Sequence, residues 1–142
     1  MISPEALAKS RLVVDTDVVS YIFNGHTQAQ FFAPYLVNKT LAVSFMTVAQ
    51  LYYGAYHACW GTNRLRRLEY HLKNYVILPY DYDICLRWAG IREDSESKGR
   101  GIEHADCWIA ACAVRHDCAL ATNNGRHFNH IPGLPLICPS LS

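Results

Sequence analysis

A chain of 142 residues is long enough for one domain with a substantial core and too short for two of ordinary size. Hydrophobic residues make up 51% and charged ones 18%, which excludes a disordered chain; the net charge of only +1 excludes a globally basic nucleic-acid binder, so any such contact must come from local clustering. No apolar run approaches the ~20 residues needed to span a bilayer, and the opening MISPEALAKSR lacks the apolar centre of a signal peptide, so a cytoplasmic protein with no membrane partner is expected.

Residues 1–10 carry no usable pattern and read as a loose N-terminal extension, with residues 11–142 as one domain. Leu12-Val13-Val14 predicts a short buried strand running straight into Asp15-Thr16-Asp17. Val18 to Phe23 then gives a helix stopped by Asn24-Gly25, and Thr27 is placed to cap a second helix through Leu36, with a kink or break at Pro34. Leu41–Ser44 predicts a second strand, followed by a helix over Met46–Cys59 and, beyond Gly61, another over Asn63–Tyr75 capped by Thr62, with Leu65, Leu68 and Leu72 inward. Val76-Ile77-Leu78 predicts a third strand, and Asp81 or Asp83 starts a long helix carrying Ile84, Leu86, Trp88, Ala89 and Ile91. Ile102–His116 holds the most apolar helix, Ala119–Ala121 a fourth strand ending in Thr122-Asn123-Asn124-Gly125, and Leu136-Ile137 a short last strand.

Strands alternating with helices predict an α/β fold, a three-layer α/β/α sandwich around a central, mainly parallel sheet of about five strands. The six cysteines form no C-x-x-C pair and read as reduced core thiols, and no histidine pairing suggests zinc.

Candidate site residues fall at strand ends and helix starts: Asp15 and Asp17, Asp106, and Asn123-Asn124. Asp15 reads equally as an ordinary helix cap or as a carboxylate delivered to a ligand site. Carboxylates gathered at one sheet edge repel one another, and a hard divalent cation such as magnesium is the usual reason to tolerate them. VVDTDVV also fits a phosphatase with Asp15 as nucleophile and Asp17 as acid–base, but that chemistry requires a lysine and a second acidic pair that the chain does not supply.

Four segments in order, DTDVVSYIF, SFMTVAQLYYGA, GIEHADCWIAACA and ATNNGRHFNHIPGL, resemble the PIN-domain nucleases, above all the VapC-type toxins of bacterial toxin–antitoxin pairs, from about Arg11 to the C-terminus. The resemblance implies a PIN-like fold, an endoribonuclease dependent on Mg2+ or Mn2+, RNA as substrate, an antitoxin that blocks the site, and a homodimer. It implies that Asp15 and Asp106 share the metal, and that Thr16 and Asp17 position metal-bound water. Gln50 stands where the family carries Glu, Asn124 where it carries an acid or Asn, and His127 where many relatives have an acid. Gln has the shape of Glu without its charge, so Gln50 reads three ways: weakened metal binding in a natural variant, a module that binds without cutting, or a change introduced to make a toxic nuclease tolerable. Glu103, three residues before Asp106, is either a helix-start charge or a partial replacement.

RNA contact falls to Lys98 and Arg100 before Asp106 and to Arg126, His127 and His130 around Asn124, while Arg64, Arg66 and Arg67 read as a solvated or antitoxin-facing surface. Tyr52 and Tyr56, four apart, suggest a groove for a partner helix or a dimer seam.

Overall fold

The computed structural model describes residues 1–139. Five apolar runs form one sheet, with β1 (Arg11–Val14), β2 (Thr40–Ser44), β3 (Val76–Leu78), β4 (Ala119–Ala121) and β5 (Leu136–Ile137) in the order β3-β2-β1-β4-β5, every pairing between them parallel. Alternate side chains serve opposite cores: Leu12, Val14, Val43, Ala119 and Ala121 point to one, Val13, Ala42, Leu78 and Leu120 to the other. Because both faces are covered, the strands read as unbroken apolar runs rather than alternating ones.

One layer is built by α2 (Thr16–Asn24), α3 (Ala29–Leu36), α4 (Phe45–His57) and α5 (Thr62–Leu72), which bury Val18, Val19, Phe32, Ala55, Leu68 and Leu72. The opposite layer is built by α6 (Tyr82–Ser97) and α7 (His104–Arg115), with Ile84 and the run Ile109–Ala113 inside. Each predicted strand and long helix is present, with ends shifted by up to three residues. Gly25 closes α2 in the left-handed conformation at φ 64°, as Asn24-Gly25 predicts.

Several expectations are corrected. Residues 1–10 are not loose: α1 (Pro4–Ala8) is capped by Ser3, whose Oγ accepts from Ala6 N at 3.1 Å, and Ile2 bridges Ile137 at the sheet edge. Ser-Pro-Glu is an N-terminal signature in only five helical residues, too short to produce a periodic pattern. Pro34 lies inside α3 without breaking it, and the helix forgoes the bond that a residue 34 N–H would make to the Gln30 carbonyl. Gly61, not Thr62, caps α5. Leu86 is exposed, and so are Cys59 and Cys85, which leaves four of the six free thiols in the core.

The chain travels outward from β1 to β2 and β3, then crosses back to lay β4 on the other flank of β1. The carboxyl ends of β1 and β4 therefore flank the point where strand order reverses, the place where an open parallel sheet leaves a crevice.

Candidate active site

Asp15 leaves β1 at that crevice and is almost completely buried, with 4% of its surface exposed. Its Oδ1 accepts from Thr16 N at 2.8 Å and its Oδ2 from the Thr122 hydroxyl at 2.7 Å. It also caps α2, so the two readings of this carboxylate are compatible. Burial, and next the charge of Asp17, push the Asp15 carboxyl up to about 7 against the two hydrogen bonds, which favour the ionised form.

Asp17, in the first turn of α2, accepts from Val18 N at 2.8 Å through Oδ1, and from Asn123 N at 3.2 Å and Asn124 Nδ2 at 3.1 Å through Oδ2. Burial raises its carboxyl as well. Asp106 stands in the first turn of α7 with Oδ2 3.0 Å from His127 Nδ1; burial raises this third carboxyl, while His127 pulls it down. Asp15, Asp17 and Asp106 line one cleft of about 600 Å³ together with Thr16, Gln50 and Asn124, so the expected residues are brought to one place.

The Thr16 hydroxyl lies 2.6 Å from Gln50 Oε1 and 2.9 Å from Thr47 Oγ1. Since one hydroxyl proton serves one acceptor, Thr16 donates to the nearer Gln50 carbonyl while its oxygen accepts from the Thr47 hydroxyl. Gln50 lines the cleft with an uncharged amide, so it brings no carboxylate to a cation there. Asn124 commits its NH2 to Asp17.

Among the described residues no three His, Cys, Asp or Glu side chains converge tightly enough to form a metal-ligand group. The donor set is nevertheless oxygen-rich, and its carboxyls are raised by burial and mutual repulsion. That chemistry suits a hard cation held by two carboxylates with water completing the shell.

Glu103 occupies the cap position of α7 and faces a second cavity beside Asp106, not the cleft of Asp15. Arg100 and Arg126 line the same second cavity. Lys98 lines neither, being paired with Asp94 at 2.8 Å and donating to the His130 carbonyl at 3.2 Å. Arg64, Arg66 and Arg67 are exposed, and Arg64 donates to Asn24 Oδ1 at 2.8 Å and lies over the Trp60 ring. The cleft's lining contains no lysine, which removes the support the phosphatase reading requires. The Tyr52 and Tyr56 rings meet at a tilt of 47° with centroids 6.0 Å apart, and Tyr53 and Trp60 extend the cleft as an aromatic wall.

Sequence reasoning missed Thr122 and the pairing of His127 with Asp106. Thr122 is fully buried, holds Asp15 and accepts from Asn124 N at 3.0 Å. Its signal is a polar residue directly after the apolar β4, which gains meaning only once β4 is known to lie beside β1.

The sequence profile of the PIN domain matches residues 12–134. The chain is 28% identical to ribonuclease VapC2 of Rickettsia felis over 87% of this chain and 94% of that protein, and 30% identical to VapC ribonuclease Y4jK of Sinorhizobium fredii over 90% and 96%. Among solved structures it is similar to VapBC2 from Rickettsia felis bound to a promoter DNA fragment, with a TM-score of 0.81 and 26% identity over 90% of this chain and 98% of that one.

Proposed function

The chain belongs to the PIN-domain family, and on that premise we propose that it is an endoribonuclease of the VapC kind, the toxin of a toxin–antitoxin pair, dependent on Mg2+ or Mn2+. The observation that carries this reading is the burial of Asp15 in one cleft with Asp17 and Asp106 at the carboxyl ends of β1 and β4. A cation bound there would activate water and neutralise the charge that grows on the phosphate during cleavage.

Asp15 and Asp106 are the residues that would hold it. Asp15 is fixed for that role by Thr16 N and Thr122, and Asp106 by His127. Asp17, clamped by Asn123 and Asn124, orients the attacking water with Thr16. Arg100 and Arg126 take flanking phosphates, since phosphate contacts place a nucleic acid without reading it. The antitoxin covers the cleft along its Tyr53–Trp60 wall; a homodimer and a cytoplasmic location complete the reading.

The test is cleavage of total RNA with and without divalent metal, by the parent and by Gln50→Glu. Metal-dependent cleavage by both, faster in Gln50→Glu, is expected, and equal rates remove Gln50 from the mechanism. A second reading, an impaired module that binds RNA or antitoxin only, is favoured by the absence of three convergent ligands among the described residues. It prevails if neither Gln50→Glu nor added manganese yields cleavage.

A further inference from the structure

We propose that Tyr21 is a positioning residue for the cleft: through Asn123 it fixes the turn after β4 that clamps Asp17, without itself touching substrate or cation. The inference rests on the nuclease reading above and adds to it a residue outside the cleft's own lining.

Asp17 and Tyr21 stand four apart on α2, so their side chains share one side of the helix. Asn123 spans the pair. Its backbone N–H donates to Asp17 Oδ2 at 3.2 Å, and its side-chain NH2 donates to the Tyr21 hydroxyl at 3.2 Å. A residue gripped at both backbone and side chain has little freedom left. The turn needs such a grip, because β4 is three residues long and the helical turn that follows, Gly125–Phe128, is four, so regular structure supplies little support on either side. Yet this turn carries three of the bonds that hold the carboxylates: Thr122 on Asp15, and Asn123 N and Asn124 Nδ2 on Asp17.

Tyr21 is itself held from behind. Gly25 turns the chain back in the left-handed conformation, and His26 N donates to the Tyr21 carbonyl at 2.9 Å. The His26 ring stacks on the Tyr21 ring, with centroids 4.8 Å apart and planes 28° apart. His26 is fixed in turn, its Nδ1 accepting from Gln28 N at 3.0 Å. The phenol is therefore set in place before any substrate arrives, as support for a functional side chain requires. Burial, and next the charge of Asp17, raise the Tyr21 hydroxyl, so it stays neutral and its bond from Asn123 is an ordinary one between uncharged groups. Phe at position 21 would keep the ring and remove only that acceptor.

The experiment compares the full chain with Tyr21→Phe, Asn123→Ala and the double variant, each checked for folding by far-UV circular dichroism and urea denaturation. Cleavage of one RNA is followed in Mn2+, in the parent or, if only that variant cuts, in Gln50→Glu. Tyr21→Phe is expected to lower kcat about threefold to tenfold, the worth of one neutral hydrogen bond, with KM as in the parent. The double variant should be no slower than Asn123→Ala, since the two residues act as one unit. A second measurement does not depend on activity: in isotope-labelled protein held in EDTA, the Asn124 side-chain amide, which serves Asp17, shifts in Tyr21→Phe, while the Asn74 amide, bonded to the His71 carbonyl, stays where it was. An unmoved Asn124 amide, an unchanged kcat in Tyr21→Phe, or losses that simply multiply in the double variant would overturn the inference. Absence of cleavage from both the parent and Gln50→Glu refutes the nuclease reading alone, because the Asn124 amide still reports whether Tyr21 holds the turn.

Discussion

Asp15→Asn should make the metal-free protein more stable at neutral pH while abolishing its activity. Folding raises the Asp15 carboxyl from its ordinary 3.8 to about 7. A carboxyl raised by folding holds its proton more tightly in the native state, so its ionisation opposes folding: the penalty is absent below the unfolded value, grows as pH rises, and is complete above the folded value. At about 1.4 kcal/mol per pH unit, the ceiling is about 4 kcal/mol. Asn keeps the bond from Thr16 N through its carbonyl, but its NH2 faces the Thr122 hydroxyl, which already accepts from Asn124 N and so is left with an unpaired proton. That costs about 1 kcal/mol. The net expectation is a gain of about 3 kcal/mol at about pH 8, turning into a loss of about 1 kcal/mol near pH 4, where Asp15 carries its own proton. Urea denaturation of both proteins in EDTA at the two pH values measures it. A difference that is the same at both, or a variant less stable than the parent at the higher pH, would refute the argument that buried charge repulsion dominates this residue.

Three further outcomes follow from the same cluster. Gln50→Glu adds a carboxylate beside Asp15 and should lower metal-free stability above neutral pH, with the loss reversed by saturating Mg2+ or Mn2+ because a ligand that binds only the folded state stabilises it; thermal melts with and without metal decide it. Thr122→Val removes a hydroxyl that lowers Asp15 and serves Asn124 N, which should cost about 1–3 kcal/mol at about pH 8 and less near pH 4, read by the same denaturation series. His127→Ala releases Asp106 and should weaken Mn2+ binding about tenfold, as loss of a group that orients a ligand does; His127→Asn, which can present an N–H near the same place, should recover part of it, and unchanged Mn2+ affinity in His127→Ala would remove His127 from any positioning role.

Much of this geometry is written locally in the chain, and the remainder depends on strand order. Leu12-Val13-Val14 fixes β1 and Ala119-Leu120-Ala121 fixes β4 because both lie in the buried centre of a parallel sheet, where apolar residues run without interruption. That Asp15 and Thr122 touch cannot be read from either run, since 107 residues separate them and contact requires β4 to pair with β1 rather than with β3. The same limit hid His127, which reaches Asp106 only because a single helical turn, α8 (Gly125–Phe128), turns it back over α7. Four residues of helix leave no periodicity to detect. Ser3 and Pro4 carried a readable cap, but five helical residues gave too little pattern to outweigh the look of a loose terminus.

Gln50 acquires a physical meaning from this arrangement that its sequence position alone does not carry. Three carboxyls already stand in one cleft, and all three are raised above their ordinary range chiefly by burial. A fourth charge at position 50 would add repulsion at the most enclosed of them, whereas Gln keeps the 2.6 Å contact with Thr16 and carries no charge. The substitution thus exchanges cation affinity for metal-free stability while leaving the hydrogen-bond frame of Thr16 and Thr47 in place. For that reason Gln50→Glu should shift stability and metal binding in opposite directions, and a variant that moved both the same way would mean that Gln50 is set by packing rather than by charge.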